Sequence, residues 1–147
     1  MSIRLAPGVA DAIRRHGEQG YPHEVCGLLL GRAVDREVLE TFALENERTD
    51  SRENRYSVSG ASMFRAERYA AKAGLDVVGY YHSHPNAPAR PSGYDLDHAT
   101  WPGLSYPIVS VVDGSAVDLR SWTMADDRSE FVEEAIVEAR DSHQEES

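Results

Sequence analysis

Apolar residues in APGVADAIRRHGEQG, positions 6–20, recur at helical spacing, with Pro7 acceptable in a first turn and Gly17 and Gly20 marking an exit. The pattern then changes period. EVCGLLLG (24–31) is a short apolar run closed by Gly31, and REVLETFALEN (36–46) alternates enough to be its antiparallel partner across a tight connection near Ala33 to Asp35. A polar stretch, NERTDSRENR (46–55), predicts an exposed loop; YSVS (56–59) predicts a short strand, and GASMFRAERYAAKAG (60–74) a second helix. DVVGYYHSH (76–84) has the β-branched and aromatic character of a buried strand, which Pro85 ends by removing a ladder donor. After prolines 85, 88 and 91 a short helix is expected over 93–99. YPIVSVVD (106–113) and SAVDLRSWTM (115–124) then form a hairpin signalled by Asp113-Gly114. DDRSEFVEEAIVEAR (126–140) reads as a last amphipathic helix with acids in its first turn.

This order of elements predicts an α+β fold in three layers, α/β/α, around a curved, mixed and largely antiparallel sheet. With 147 residues the chain is long enough for one buried core, so a single domain is expected over 1–140, with DSHQEES (141–147) as a frayed tail. No stretch of about 18 apolar residues is present and the first residues lack a secretory signal, which points to a cytoplasmic protein that does not enter a membrane.

Charge narrows the function. A formal net charge of -10 and the lack of a basic stripe argue against nucleic acid as a partner. Of the 15 basic residues only Lys72 is a lysine, a balance that would suit a salt-rich cytoplasm, or equally reflect a bias of codon composition. One cysteine, Cys26, can supply neither an internal disulfide nor a multi-thiolate metal site, so any metal must be held by histidine and carboxylate.

GYYHSHPNAPARPSGYD (79–95) carries the chemistry. Alternation along a strand puts His82 and His84 on one face and Ser83 on the other, so two imidazoles come within reach of one ion. Taken alone, such a pair reads as one packed and one exposed histidine at a strand end. A chain reversing over the prolines, however, can return the Asp95 carboxylate to that strand end as a third ligand. Two histidines and a carboxylate leave a fourth zinc position open for water, as in catalytic zinc sites. Ser92 and Asp95 also match a helix-capping pattern, and both readings can hold together. A general base is still needed, and Glu24 is the best candidate, since an acid opening an apolar strand has no packing reason to be there. His23 would compete, but alternation sends it to the opposite face.

Glu24 in HEVCGLLLG, together with H-x-H-x7-S-x2-D over 82–95, resembles the JAMM motif of the MPN-plus zinc metallopeptidases, in their short stand-alone prokaryotic branch. Chance occurrence of the four spaced positions is on the order of one chain in several thousand. The resemblance implies an MPN (cytidine deaminase-like) fold with one catalytic zinc held by His82, His84 and Asp95. Glu24 would move the proton, and Ser92 would stabilise the tetrahedral oxyanion. It also implies hydrolysis of peptide or isopeptide bonds at the C-terminal Gly-Gly tail of a ubiquitin-like or sulfur-carrier protein. Arg48, Arg52 and Arg55, in the polar loop, are candidates for meeting an acidic partner.

Three rival readings differ in class. A non-haem iron oxygenase also uses two histidines and a carboxylate, but gives the glutamate and serine no task. A cysteine hydrolase built on Cys26 would place its nucleophile in an apolar strand. A non-catalytic module of the same fold would keep the site and only bind ubiquitin-like partners.

Overall fold

A computed structural model describes residues 2–44, 60–93, 103–127 and 129–139. The expected strand at 56–59, most of the short helix at 93–99 and the tail at 141–147 lie outside these residues. The elements are β1 (Ser2–Leu5), α1 (Val9–Gly20), β2 (Cys26–Arg32), β3 (Glu37–Leu44), α2 (Gly60–Ala73), β4 (Asp76–Pro85), β5 (Ser105–Val112), β6 (Ser115–Met124) and β7 (Phe131–Glu138). The strands join in the order β1-β3-β2-β4-β5-β6-β7, and a parallel β7–β1 pair closes the sheet into a barrel. The curved, mixed sheet with a helix on each face accords with the expectation, and the sheet further curls into a closed surface.

Closure divides the apolar residues between two clusters. Inside, Val9, Ala10 and Ile13 of α1 pack with Ile3, Leu5, Leu29, Val38, Val78, Tyr81, Val109 and Val111, so the helix fills the barrel. Outside, Cys26, Leu28 and Leu30 of β2 meet Leu44, Ala66 and Ala70, so α2 covers the other face of β2. Burial on both faces is why β2 reads as an unbroken apolar run. Gly17, taken from the sequence as a helix exit, lies within α1 instead. A Cβ there would stand 3.0 Å from Val111 and 3.1 Å from Val109, so glycine is what lets α1 lie close to β5.

Two strands differ from expectation. β1 was not foreseen; its four residues alternate, burying Ile3 and Leu5, and pair in parallel with both β3 and β7. The C-terminal segment is strand β7 where a helix was predicted. FVEEAIVE is amphipathic at helical spacing, but its β-branched residues and two open neighbouring edges decide for strand.

β7 also carries a buried acid. Glu134 accepts from Arg36 at 2.5 Å and from the Ser121 hydroxyl at 2.7 Å. Arg36 further donates to the Ser2 carbonyl (3.1 Å), the Gly103 carbonyl (3.0 Å) and the Ser105 hydroxyl (2.6 Å). Arg36 therefore ties the β2–β3 connection to β1, β5 and β7, and each oxygen of Glu134 has a donor. Removing Glu134 strips the half-buried Arg36 of its counter-charge and the Ser121 hydroxyl of its acceptor, a loss of about 1.5–3 kcal/mol. Glu134→Ala should lower the denaturation midpoint accordingly, and a midpoint equal to that of the wild type would remove the clasp from the closure of the barrel.

His16 of α1 lies with Nδ1 2.6 Å from the hydroxyl of Tyr81, and burial lowers its pKa below the usual 6.5. The unfolded chain therefore binds the proton more readily than the folded one, so stability should fall as pH drops below about 6.5. His16→Gln should flatten that part of the profile, as denaturation midpoints across pH would reveal.

Candidate metal and catalytic site

The site begins with the pairing of β2 and β4. Cys26 stands opposite His82 in an antiparallel register. One residue further, the Ser83 N–H donates to the Val25 carbonyl (3.0 Å) while the Val25 N–H donates to Ser83 Oγ (2.9 Å). Continuing this register sets Glu24 opposite His84. Alternation then puts Glu24, Cys26, His82 and His84 on one face, with Val25 and Ser83 on the other. Glu24, His82 and His84 are 2 %, 3 % and 8 % exposed, and one ligand atom from each falls within 4.8 Å of the others. His23 is exposed, outside this cluster.

The histidines are oriented by a backbone oxygen. His84 Nδ1 is 2.8 Å from the Pro88 carbonyl. A carbonyl only accepts, so Nδ1 carries the proton and Nε2 keeps its lone pair. That Nε2 lies 3.1 Å from His82 Nε2. Two nitrogens on one tetrahedral zinc stand about 3.3 Å apart, taking Zn–N bonds of about 2.05 Å. A backbone carbonyl holding the far nitrogen of a ligand histidine is also a common outer-shell partner. The two imidazoles, with the Glu24 carboxylate beside them, therefore fit a zinc site. Asp95, Arg48, Arg52 and Arg55 lie outside the described residues.

The loop after His84 is pinned at almost every residue. The Asn86 N–H donates to the Val111 carbonyl (2.7 Å), and its side-chain oxygen accepts from the Asp113 N–H (3.0 Å). Ser110 Oγ donates to the Ala87 carbonyl at 2.6 Å, and Trp122 Nε1 donates to the Ala89 carbonyl at 3.1 Å. Sequence reasoning credited the prolines with stiffening this loop, and it missed the struts from β5 and β6. A serine and a tryptophan in distant strands carry no local signal of that task. The loop walls a cavity of about 350 Å³ shared by Glu24, His84 and Ser92, with Pro85, Ala87, Pro88, Pro91 and Arg90 completing its lining. Ser92 is thus brought to the same space as Glu24. Arg90 was not foreseen at all.

Cys26 stands beside the site but takes no nucleophilic part. Burial, with a further contribution from the charge of Glu24, pushes its thiol up to about 12, so it stays protonated at neutral pH. Among the described residues no helix is long and apolar enough to cross a membrane.

A buried histidine pair and glutamate at the end of adjoining strands, opening on a walled cavity, define the class of mixed-sheet proteins with a metal-hydrolase type of donor set. The chain belongs to the prokaryotic homologs of the JAB domain, whose family model matches residues 6–125. It is 34% identical over 125 residues to the desampylase of Haloferax volcanii, covering 82% of this chain and 88% of that one. It is 29% identical over 119 residues to the CysO-cysteine peptidase of Mycobacterium tuberculosis, covering 80% of each. The solution structure of a Salinibacter ruber protein superposes with a TM-score of 0.75 at 44% identity, over 95% of this chain and 94% of the other.

Because the Val25–Ser83 exchange sets the position of Glu24, removing the hydroxyl should be felt directly. Ser83→Ala leaves the Val25 N–H buried without that acceptor, at a cost of about 1–3 kcal/mol. Chemical denaturation would measure the loss, and an unchanged midpoint would mean that the register is held elsewhere.

Proposed function

We propose that this chain is a zinc-dependent peptidase acting on a peptide or isopeptide bond that follows the Gly-Gly tail of a ubiquitin-like or sulfur-carrier protein. The observation that carries the reading is the convergence of Glu24, His82 and His84 within 4.8 Å at a cavity walled by the loop that bears Ser92. His82, His84 and Asp95 would hold the metal. Zinc bound there would act as a Lewis acid toward the scissile carbonyl and make water a stronger acid near neutral pH. Glu24 takes the proton from the attacking water and delivers it to the departing amine. Ser92, at the rim of the same cavity, donates to the oxyanion of the tetrahedral intermediate.

The substrate class is supported by the relatives, one named a desampylase and one a CysO-cysteine peptidase. It also suits the sheet. β1 pairs with β3 only at Glu37 and Val38, so among the described residues the outer edge from Leu39 to Leu44 has no strand beside it. An extended glycine tail is able to approach such an edge closely.

Glu24→Gln should keep the fold and bound zinc while reducing hydrolysis by about 10²- to 10⁴-fold. Intact-mass analysis of ubiquitin-like proteins extended beyond Gly-Gly measures cleavage, and metal analysis of the same preparations measures occupancy. Loss of zinc from this variant would make Glu24 a ligand and not the base. His82→Ala should lose the metal, and full zinc occupancy in that variant would contradict the ligand set. Iron in place of zinc, with oxygen uptake, would favour an oxygenase, and cleavage by Glu24→Gln at the wild-type rate would leave the site without its base.

A further inference from the structure

Among the described residues, the cavity beside Glu24 and His84 is lined by the apolar Pro85, Ala87, Pro88 and Pro91, and by one cation, Arg90. We infer that Arg90 is a specificity residue that receives the α-carboxylate of the leaving group, so the preferred substrate ends in one amino acid attached to Gly-Gly through its α-amine. This deepens the peptidase reading above and rests on it.

Several observations point to a ligand for Arg90. Its backbone is held firmly, with its N–H donating to the Pro88 carbonyl at 2.8 Å, and its neighbour Ala89 is buried with its carbonyl bound to Trp122. The side chain is exposed, and no ion pair engages its guanidinium among the described residues. Arg90 lines the cavity beside Glu24 and His84 in a chain of net charge -10, with its guanidinium left to meet an anion that enters there. The shape of guanidinium matches a carboxylate through two parallel hydrogen bonds, which a lysine would not reproduce.

Chemistry places such a carboxylate where Arg90 would meet it. When the scissile nitrogen is an α-amine at the chain end, its carboxylate is two bonds away, inside the same small cavity. When the nitrogen is a lysine ε-amine, only methylene groups lie that close. A cavity of about 350 Å³ also has room for one residue beyond the glycines. Arg90 thus separates two substrate classes that the zinc site and Glu24 treat alike.

The test uses a peptide ending in Gly-Gly-Ala, supplied as the free acid and as the C-terminal amide, and a matching peptide joined through Gly-Gly to a lysine ε-amine. Binding is followed calorimetrically with the zinc-loaded Glu24→Gln protein, and cleavage with the zinc-loaded wild type. The free acid should bind, and be cleaved by kcat/KM, about tenfold better than either of the others. Adding Arg90→Ala should bring the acid-to-amide ratio close to one, while Arg90→Lys should restore part of it. Equal binding of acid and amide, a preference that survives Arg90→Ala, or no binding of the acid at millimolar concentration would each overturn the inference. An Arg90-dependent preference in binding with no cleavage by the wild type would uphold the carboxylate site and sink the peptidase reading instead.

Discussion

The antiparallel register of β2 on β4 is the constraint from which the site follows. Side chains alternate across a strand, so a slip of one residue would send Glu24 and both histidines to opposite faces of the sheet. The reciprocal bonds between Val25 and Ser83 sit at the end of the pair, where a ladder would otherwise fray. Ser83 therefore works from the face opposite the metal ligands. It is fully buried, and its hydroxyl replaces one backbone acceptor at the point where β2 gives way to the loop.

The barrel supplies the rigidity that this register needs. A two-stranded ribbon would twist freely, but β2 and β4 are central strands with α1 packed on one face and α2 on the other. Closure in turn depends on β7 reaching β1, and the Arg36–Glu134 pair stands where these strands meet. A buried ion pair is seldom a large net source of stability. Here every oxygen of the acid is occupied and the arginine spans several strands, which favours one closed arrangement over others of similar apolar burial.

Much of this was legible in the chain, for identifiable reasons. The Asp113-Gly114 turn, with both residues at positive φ, follows from local sterics alone. The convergence of His82 with His84 follows from strand alternation, and Glu24 was conspicuous as an acid opening an apolar run. What escaped the reading depends on partners remote in sequence. SIRL is too short to announce itself and becomes a strand only between β3 and β7. FVEEAIVE looks amphipathic at helical spacing until two open edges claim it. Arg90 has no signal in the sequence of its proline-rich loop, and only the folding of that loop over Glu24 gives it a cavity to face.

The loop after β4 shows how preorganisation is divided between chain and scaffold. Prolines restrict its unfolded ensemble, but they cannot choose where it lies. That choice comes from Asn86, Ser110 and Trp122, which hold the Asn86 backbone and the Ala87 and Ala89 carbonyls against β5 and β6. One carbonyl, that of Pro88, accepts from the Arg90 N–H and also fixes the proton of His84 on Nδ1. The same short segment thus sets the tautomer of a histidine, walls the cavity and presents Arg90 and Ser92 to it. Because these tasks share one backbone, a change that shifts the loop should disturb metal binding and substrate preference together, whereas a change confined to the tip of one side chain should separate them.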